Sequence, residues 1–194
     1  GWSATPTLPE LAFKDCTALQ EVTLPDGVQV IGEYAFIRCA ALTTVNLSQV
    51  TRIDESAFRG CTSLKTLTLD NVAAIGLDAF YGCTGLETLK IPKCTRFGNY
   101  IVTGCKALTR IEAIAAGDFV HISDGSSIER TAVFHNRTAH SGDNVFNPAK
   151  CDLVLNADKQ EGGGAVPTVS NSNGWTNAQY SGNPMRWKSI TCGQ

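Results

Sequence analysis

Cysteine returns along this chain on a fixed beat. Cys16, Cys39, Cys61, Cys83 and Cys105 are separated by 23, 22, 22 and 22 residues. Phe13, Phe36, Phe58 and Phe80 keep the same interval, with Val102 in the fifth place. Leu19, Leu42, Leu64, Leu86 and Leu108 each follow a cysteine by three residues. A unit this short cannot bury its own apolar side, so each depends on the units stacked against it. The chain must therefore form a solenoid.

Three units read IGEYAFIRCAALTTVNL, IDESAFRGCTSLKTLTL and IGLDAFYGCTGLETLKI. A period of 20–29 residues with these apolar anchors marks a leucine-rich-repeat solenoid. In LTTVNL, Val45 and Leu47 alternate with Thr44 and Asn46, the period-two pattern of a half-buried strand. Strands are predicted near residues 20–24, 43–47, 65–69, 87–91 and 109–113, adjacent in one parallel sheet. The return segment, such as DESAFRGC, is predicted to make one or two helical turns (short helical or 3-10), with Ala57, Phe58 and Cys61 facing inward.

The pattern IgxxAFxxCxxLxxVxL, with units joined by LPDGV or IPKC, resembles the BspA-like class of bacterial leucine-rich repeats. The likeness covers roughly Leu8 to Ala113, and the last unit is degenerate, with Tyr100-Ile101-Val102 in place of the Ala-Phe pair. The resemblance implies a bacterial surface or secreted protein that adheres to host or bacterial proteins through its repeats. The tail segments CDLVLN and WKSITCG also resemble tails of surface proteins from Bacteroidales-type bacteria. One position departs from the commonest leucine-rich repeats, which place Asn after the strand. Here Val28, Val50, Val72 and Cys94 stand instead, so the turn is predicted to close by backbone pairing and apolar packing.

Eight cysteines in 194 residues would ordinarily suggest disulfides. The periodic ones occupy equivalent places in successive turns, so their Cβ vectors run nearly parallel, whereas a disulfide needs convergent vectors. They read as a ladder of buried thiols. Cys94 falls in the valine column, and Cys151 with Cys192 is the pair outside the period that remains open to bridging. No CxxC or CxxxxC spacing supports a zinc site.

Domain organisation follows the beat: residues 1–113 are about five 22–23-residue repeats, and 114–194 form an irregular, β-rich C-terminal capping region. GDFVHISDGSS, ERTAVFHN, CDLVLN and RWKSIT are strand candidates there. The stretch from Glu161 to Pro184 reads as a long loop. An open solenoid end exposes core and sheet edge, which gives this half its role as a cap. Trp175 and Trp187 read as packing in the cap, with a sugar-stacking platform as the alternative.

The net charge of −2 carries no electrostatic footprint for nucleic acid. No apolar run reaches the roughly 18–20 residues of a membrane span. The chain opens at Gly1 without an initiator Met or signal peptide, and its targeting or anchor segment is expected to have been removed. His135 and His140, near Asp143, read as loop residues rather than a metal patch. Ser123, His121 and Asp124 compose a Ser–His–Asp set on paper, as any loop of this composition does. No GxSxG, HExxH, P-loop or GxGxxG motif is present, so neither enzyme activity, cofactor nor metal is expected.

The most regular exposed feature is the outward stripe of the sheet. By alternation it holds Glu21, Thr23, Thr44, Asn46, Thr66, Thr68, Thr88, Lys90, Arg110 and Glu112. Such a stripe is first what a solvated sheet looks like, and second the working face of a solenoid. The expected function is non-enzymatic recognition, with a surface protein of host or bacterium as partner. The alternative is a carbohydrate-binding module, in which case a glycan takes that place.

Overall fold

The computed structural model describes residues 5–114, 119–127, 133–134, 146–156, 179–180, 183–184 and 188–193. The repeat strands are β1 (Thr7–Leu8), β2 (Glu21–Val22), β3 (Val30–Ile31), β4 (Thr44–Val45), β5 (Arg52–Ile53), β6 (Thr66–Thr68), β7 (Ala74–Ile75), β8 (Thr88–Ile91), β9 (Arg96–Phe97) and β10 (Arg110–Ile114). Five more follow: β11 (Val120–His121), β12 (Asp152–Asn156), β13 (Gln179–Tyr180), β14 (Asn183–Pro184) and β15 (Ser189–Gly193). The strands predicted near 20–24, 43–47, 65–69, 87–91 and 109–113 are β2, β4, β6, β8 and β10. They form parallel sheets, ordered β2-β4 and β6-β8-β10-β12-β15. The column is interrupted between β4 and β6, where no strand pairing is made among the described residues.

Each turn also contributes a strand to a second parallel sheet, ordered β1-β3-β5-β7-β9-β11. These strands are two residues long, too short for the alternation that identified the first sheet. Glycine follows three of them because the neighbouring turn approaches closely. A Cβ on Gly76 would lie 2.5 Å from the Glu55 nitrogen, and one on Gly98 2.2 Å from the Leu77 nitrogen.

The return segments are stacked turns rather than helical ones. Alternate amides bond across to the next repeat: Phe13 to Ala35, Phe36 to Ala57 and Phe58 to Ala79, with N···O distances of 2.7–2.9 Å. The amides between them close locally, as from Ala35 to Gly32 at 3.2 Å and Cys39 to Phe36 at 3.1 Å. With half its donors committed to a neighbour, the segment cannot make the i→i−4 bonds of an α-helix. Two residues per turn accept left-handed φ instead, for example Ser56 (52°) with Gly60 (75°) and Tyr34 (55°) with Arg38 (60°).

The core is what the periodicity requires. Ala57, Phe58 and Cys61 are fully buried, and Phe13, Phe36, Phe58 and Phe80 stack with centroids 5.2, 5.1 and 6.1 Å apart. Val50, Val72 and Cys94 are buried, and their amides close the turn onto Leu47, Leu69 and Ile91 at 3.1–3.3 Å. The periodic cysteines are free thiols, buried at Cys39, Cys61, Cys83 and Cys105 and exposed at Cys16, in the first turn. Cys151 is also free and buried, and Cys192 lies opposite Leu155 in the β12–β15 pair. His135, His140, Asp143, Trp175 and Trp187 lie outside the described residues.

Candidate binding face

Period-two alternation sends Leu67, Leu89, Ile111 and Leu153 into the core and their neighbours outward. Strand register then aligns the outward residues into two rungs. One runs Thr66, Thr88, Arg110, Asp152, Ser189, and the other Thr68, Lys90, Glu112, Val154, Thr191. Neighbouring rung members stand about 4.8 Å apart, the spacing of paired strands. Sequence reasoning missed the last two members of each rung. They belong to β12 and β15, which continue the sheet in parallel.

The face has a hydroxyl half and a charged half. Thr66, Thr68 and Thr88 make no side-chain hydrogen bond among the described residues. By contrast Thr43, Thr51, Thr62 and Thr109 donate to carbonyls of the preceding turn at 3.0–3.4 Å. In the charged half, one Glu112 carboxylate oxygen lies 2.9 Å from Arg110 Nε and 3.4 Å from Lys90 Nζ. Asp152 accepts from Lys188 at 2.7 Å and from Ser189 at 2.5 Å. These two bonds, the lysine's first, hold its carboxyl below the usual range.

The remaining stripe residues divide. Glu21 and Thr44 are exposed and paired with each other on β2–β4, outside the five-stranded sheet. Thr23 and Asn46 lie just past the ends of those strands. Asn46 is spent on structure, its Oδ1 accepting from the Leu24 amide at 2.5 Å and its Nδ2 donating to the Leu24 carbonyl at 3.3 Å. That clamp on the preceding turn uses two of the four hydrogen-bonding positions of an exposed side chain.

His121, Ser123 and Asp124 do come together in one turn after β11. Both neighbours face the same ring nitrogen, Ser123 Oγ at 2.6 Å and Asp124 Oδ1 at 3.9 Å from Nδ1. A nucleophilic relay needs serine and carboxylate on opposite nitrogens. Asp124 instead accepts from the amide and hydroxyl of Ser126 at 2.9 and 2.7 Å. Among the described residues no group of three or more His, Cys, Asp or Glu is placed to hold a metal ion.

A single-chain coil of stacked turns with one regular polar face defines a leucine-rich-repeat protein. Residues 3–109 match the BspA type Leucine rich repeat region in 6 copies, and the chain belongs to that family. Among solved structures it is similar to the T. pallidum Leucine Rich Repeat protein, at 28% identity over 55% of this chain and 51% of that one, with a TM-score of 0.53. The pneumococcal vaccine antigen PcpA aligns over 80% of this chain and 36% of its own at 20% identity and a TM-score of 0.53, a likeness of fold. A leucine rich cell surface protein from Faecalibacterium prausnitzii aligns at 27% identity over 55% of this chain and 38% of its own, with a TM-score of 0.41. The chain thus spans about half or less of the length of these proteins. No curated protein matches it.

Proposed function

We propose that this chain is a non-enzymatic recognition module, secreted or held at the bacterial cell surface, that attaches to a host or bacterial surface protein through the five-stranded sheet. The observation that carries the reading is the in-register face itself. Thr66, Thr68, Thr88, Lys90, Arg110 and Glu112 project from three adjacent parallel strands over a buried core. Short, stiff threonines offer hydroxyls with little side-chain entropy to lose. The mixed charges at one end set orientation more than affinity. Membership of the BspA-type family supports a recognition role and the surface location. Among the described residues no helix is long and apolar enough to cross a membrane.

The test is a binding screen of the intact chain against immobilised host matrix proteins and surface proteins of other bacteria. It is repeated with Thr66, Thr88 and Lys90 replaced by glutamate. A partner retained by the parent protein and lost by the folded variant places recognition on this sheet.

A further inference from the structure

Beside the second sheet lies a groove of about 290 Å³ that the recognition face does not use. It runs along the segments where glycine lets successive turns approach most closely. Gly76 and Gly98 follow β7 and β9 and leave a low floor between Asp54 and Glu55 on one side and Ile122 and Ser123 on the other. Both glycines are fixed by packing, since a Cβ on either would strike the adjacent turn's backbone. The spacing of the turns along the groove is therefore set by packing.

We propose that this groove binds a short saccharide that carries no acidic group. Its size is near the lower end of small-ligand sites, about 300–1,000 Å³. The half-buried Leu77 and Ile122 and the glycine backbone supply an apolar surface for the C–H face of a sugar ring. Polar groups stand around that surface: the Glu33 and Glu55 carboxylates, the Asn99 amide, and the Ser123 hydroxyl together with the His121 ring it contacts at 2.6 Å. Such planar acceptors and donors match ring hydroxyls, each of which gives one proton and accepts others.

Two of the rim groups are already held in place. Tyr34 donates its hydroxyl to Glu55 Oε1 at 2.9 Å, which fixes that carboxylate and leaves Oε2 to accept. Arg52 is paired with Asp54, so the guanidinium is committed within the rim. Groups held before the ligand arrives lose less freedom on binding. Three carboxylates, Glu33, Asp54 and Glu55, face one guanidinium, Arg52, which leaves the rim two negative charges in excess when the His121 imidazole that also lines it is neutral. Uronic and sialic acids are repelled by that balance, while neutral and amino sugars are accepted. The site is independent of the proposed recognition face, which lies on the other sheet.

The experiment is titration of the isotope-labelled intact chain with the disaccharide of glucosamine and, separately, of galacturonic acid, followed by amide NMR. The Gly76 and Gly98 backbone peaks and the Asn99 side-chain amide should shift saturably with the glucosamine disaccharide. Its affinity should exceed that of the galacturonic disaccharide by at least about tenfold, or about 1.4 kcal/mol. Asn99→Ala with Ser123→Ala should weaken it by at least about tenfold, while Thr66→Glu on the other sheet leaves it unchanged. Glu55→Ala should weaken it as well, and the Asn99 and Ser123 pair keeps the test valid if loss of the Tyr34 partner unfolds that variant. No shift at those amides, equal binding of the acidic disaccharide, or undiminished binding by the folded double variant would each overturn the proposal.

Discussion

The Cys61 thiol donates a hydrogen bond to the Phe36 carbonyl at 3.1 Å, and the same carbonyl accepts the Cys39 amide at 3.1 Å. Both lone pairs of a buried carbonyl are thus satisfied, one from its own turn and one from the next. The pattern repeats from Cys39 to Phe13 at 3.0 Å, Cys83 to Phe58 at 3.1 Å and Cys105 to Phe80 at 3.2 Å. This explains why the position is cysteine rather than alanine or valine. The side chain must be small and apolar and still carry a proton.

The ladder should make stability fall in alkali. Burial, the dominant cause, pushes the Cys105 thiol up to about 12 and raises Cys61 and Cys83 as well. In the unfolded chain a thiol ionises near 9.0, so above that pH the unfolded state binds fewer protons than the folded one. Stability is then fully present below pH 9 and is lost as pH rises toward the folded values, by about 1.4 kcal/mol per pH unit for each such thiol. Denaturant midpoints at pH 8 and pH 10 should differ accordingly. Cys83→Ser should reduce the difference, and a flat profile would speak against the buried thiols.

Accessibility gives a second readout of the same ladder. Cys16 is exposed, while Cys39, Cys61, Cys83 and Cys105 are buried. A bulky thiol reagent should modify Cys16 in the folded protein and the other four only on unfolding. Intact mass under non-reducing conditions should show no loss of about two daltons for any linked pair within the ladder.

Replacing Phe58 by alanine should cost about 3–5 kcal/mol, because its ring is clasped on both sides by Phe36 and Phe80 and no part of it reaches solvent. Phe13→Ala should cost less, since that ring is half-buried and, among the described residues, stacks on one neighbour only, Phe36 of the next turn. Chemical denaturation of the two variants checks the order. Equal losses would mean the stack is not cooperative along its length.

Two glycines should differ in their tolerance of substitution. Gly98→Ala places a Cβ 2.2 Å from the Leu77 nitrogen and should cost about 1–3 kcal/mol through forced backbone movement. Gly82 has φ of +70° with nothing within 4 Å of its absent Cβ, and Asp15 and Arg38 hold equivalent left-handed positions. Gly82→Asn should therefore stay within about 0.5 kcal/mol of the parent, since asparagine tolerates this region. Thermal melts of the two variants distinguish crowding from backbone conformation.

The sequence revealed most where a side chain recurs at fixed spacing. Phe58 and Cys61 were placed inward, and Thr66 and Thr88 outward, by period alone, and the five strands followed. The second sheet was not legible because Val30–Ile31 and its equivalents are two residues long, below the length at which alternation can be read. Nor was the continuation of the first sheet through Asp152 and Ser189. Register pairs Arg110 with Asp152 and Asp152 with Ser189, separations of 42 and 37 residues that break the 22-residue beat. Asn46 shows a different limit. Alternation gives direction, and only three-dimensional placement shows that its amide is taken by Leu24.

The central claim is that a partner docks on the outward face of the five-stranded sheet. Thr66, Thr88 and Lys90 lie on adjacent strands there, with Thr66 directly opposite Thr88. The decisive measurement is the affinity of the Thr66→Glu, Thr88→Glu, Lys90→Glu triple variant for the partner found by screening, with circular dichroism confirming its fold. Three added carboxylates and one lost ammonium should weaken binding by at least about tenfold, or about 1.4 kcal/mol. Undiminished binding by the well-folded variant would contradict the claim and move recognition off this sheet.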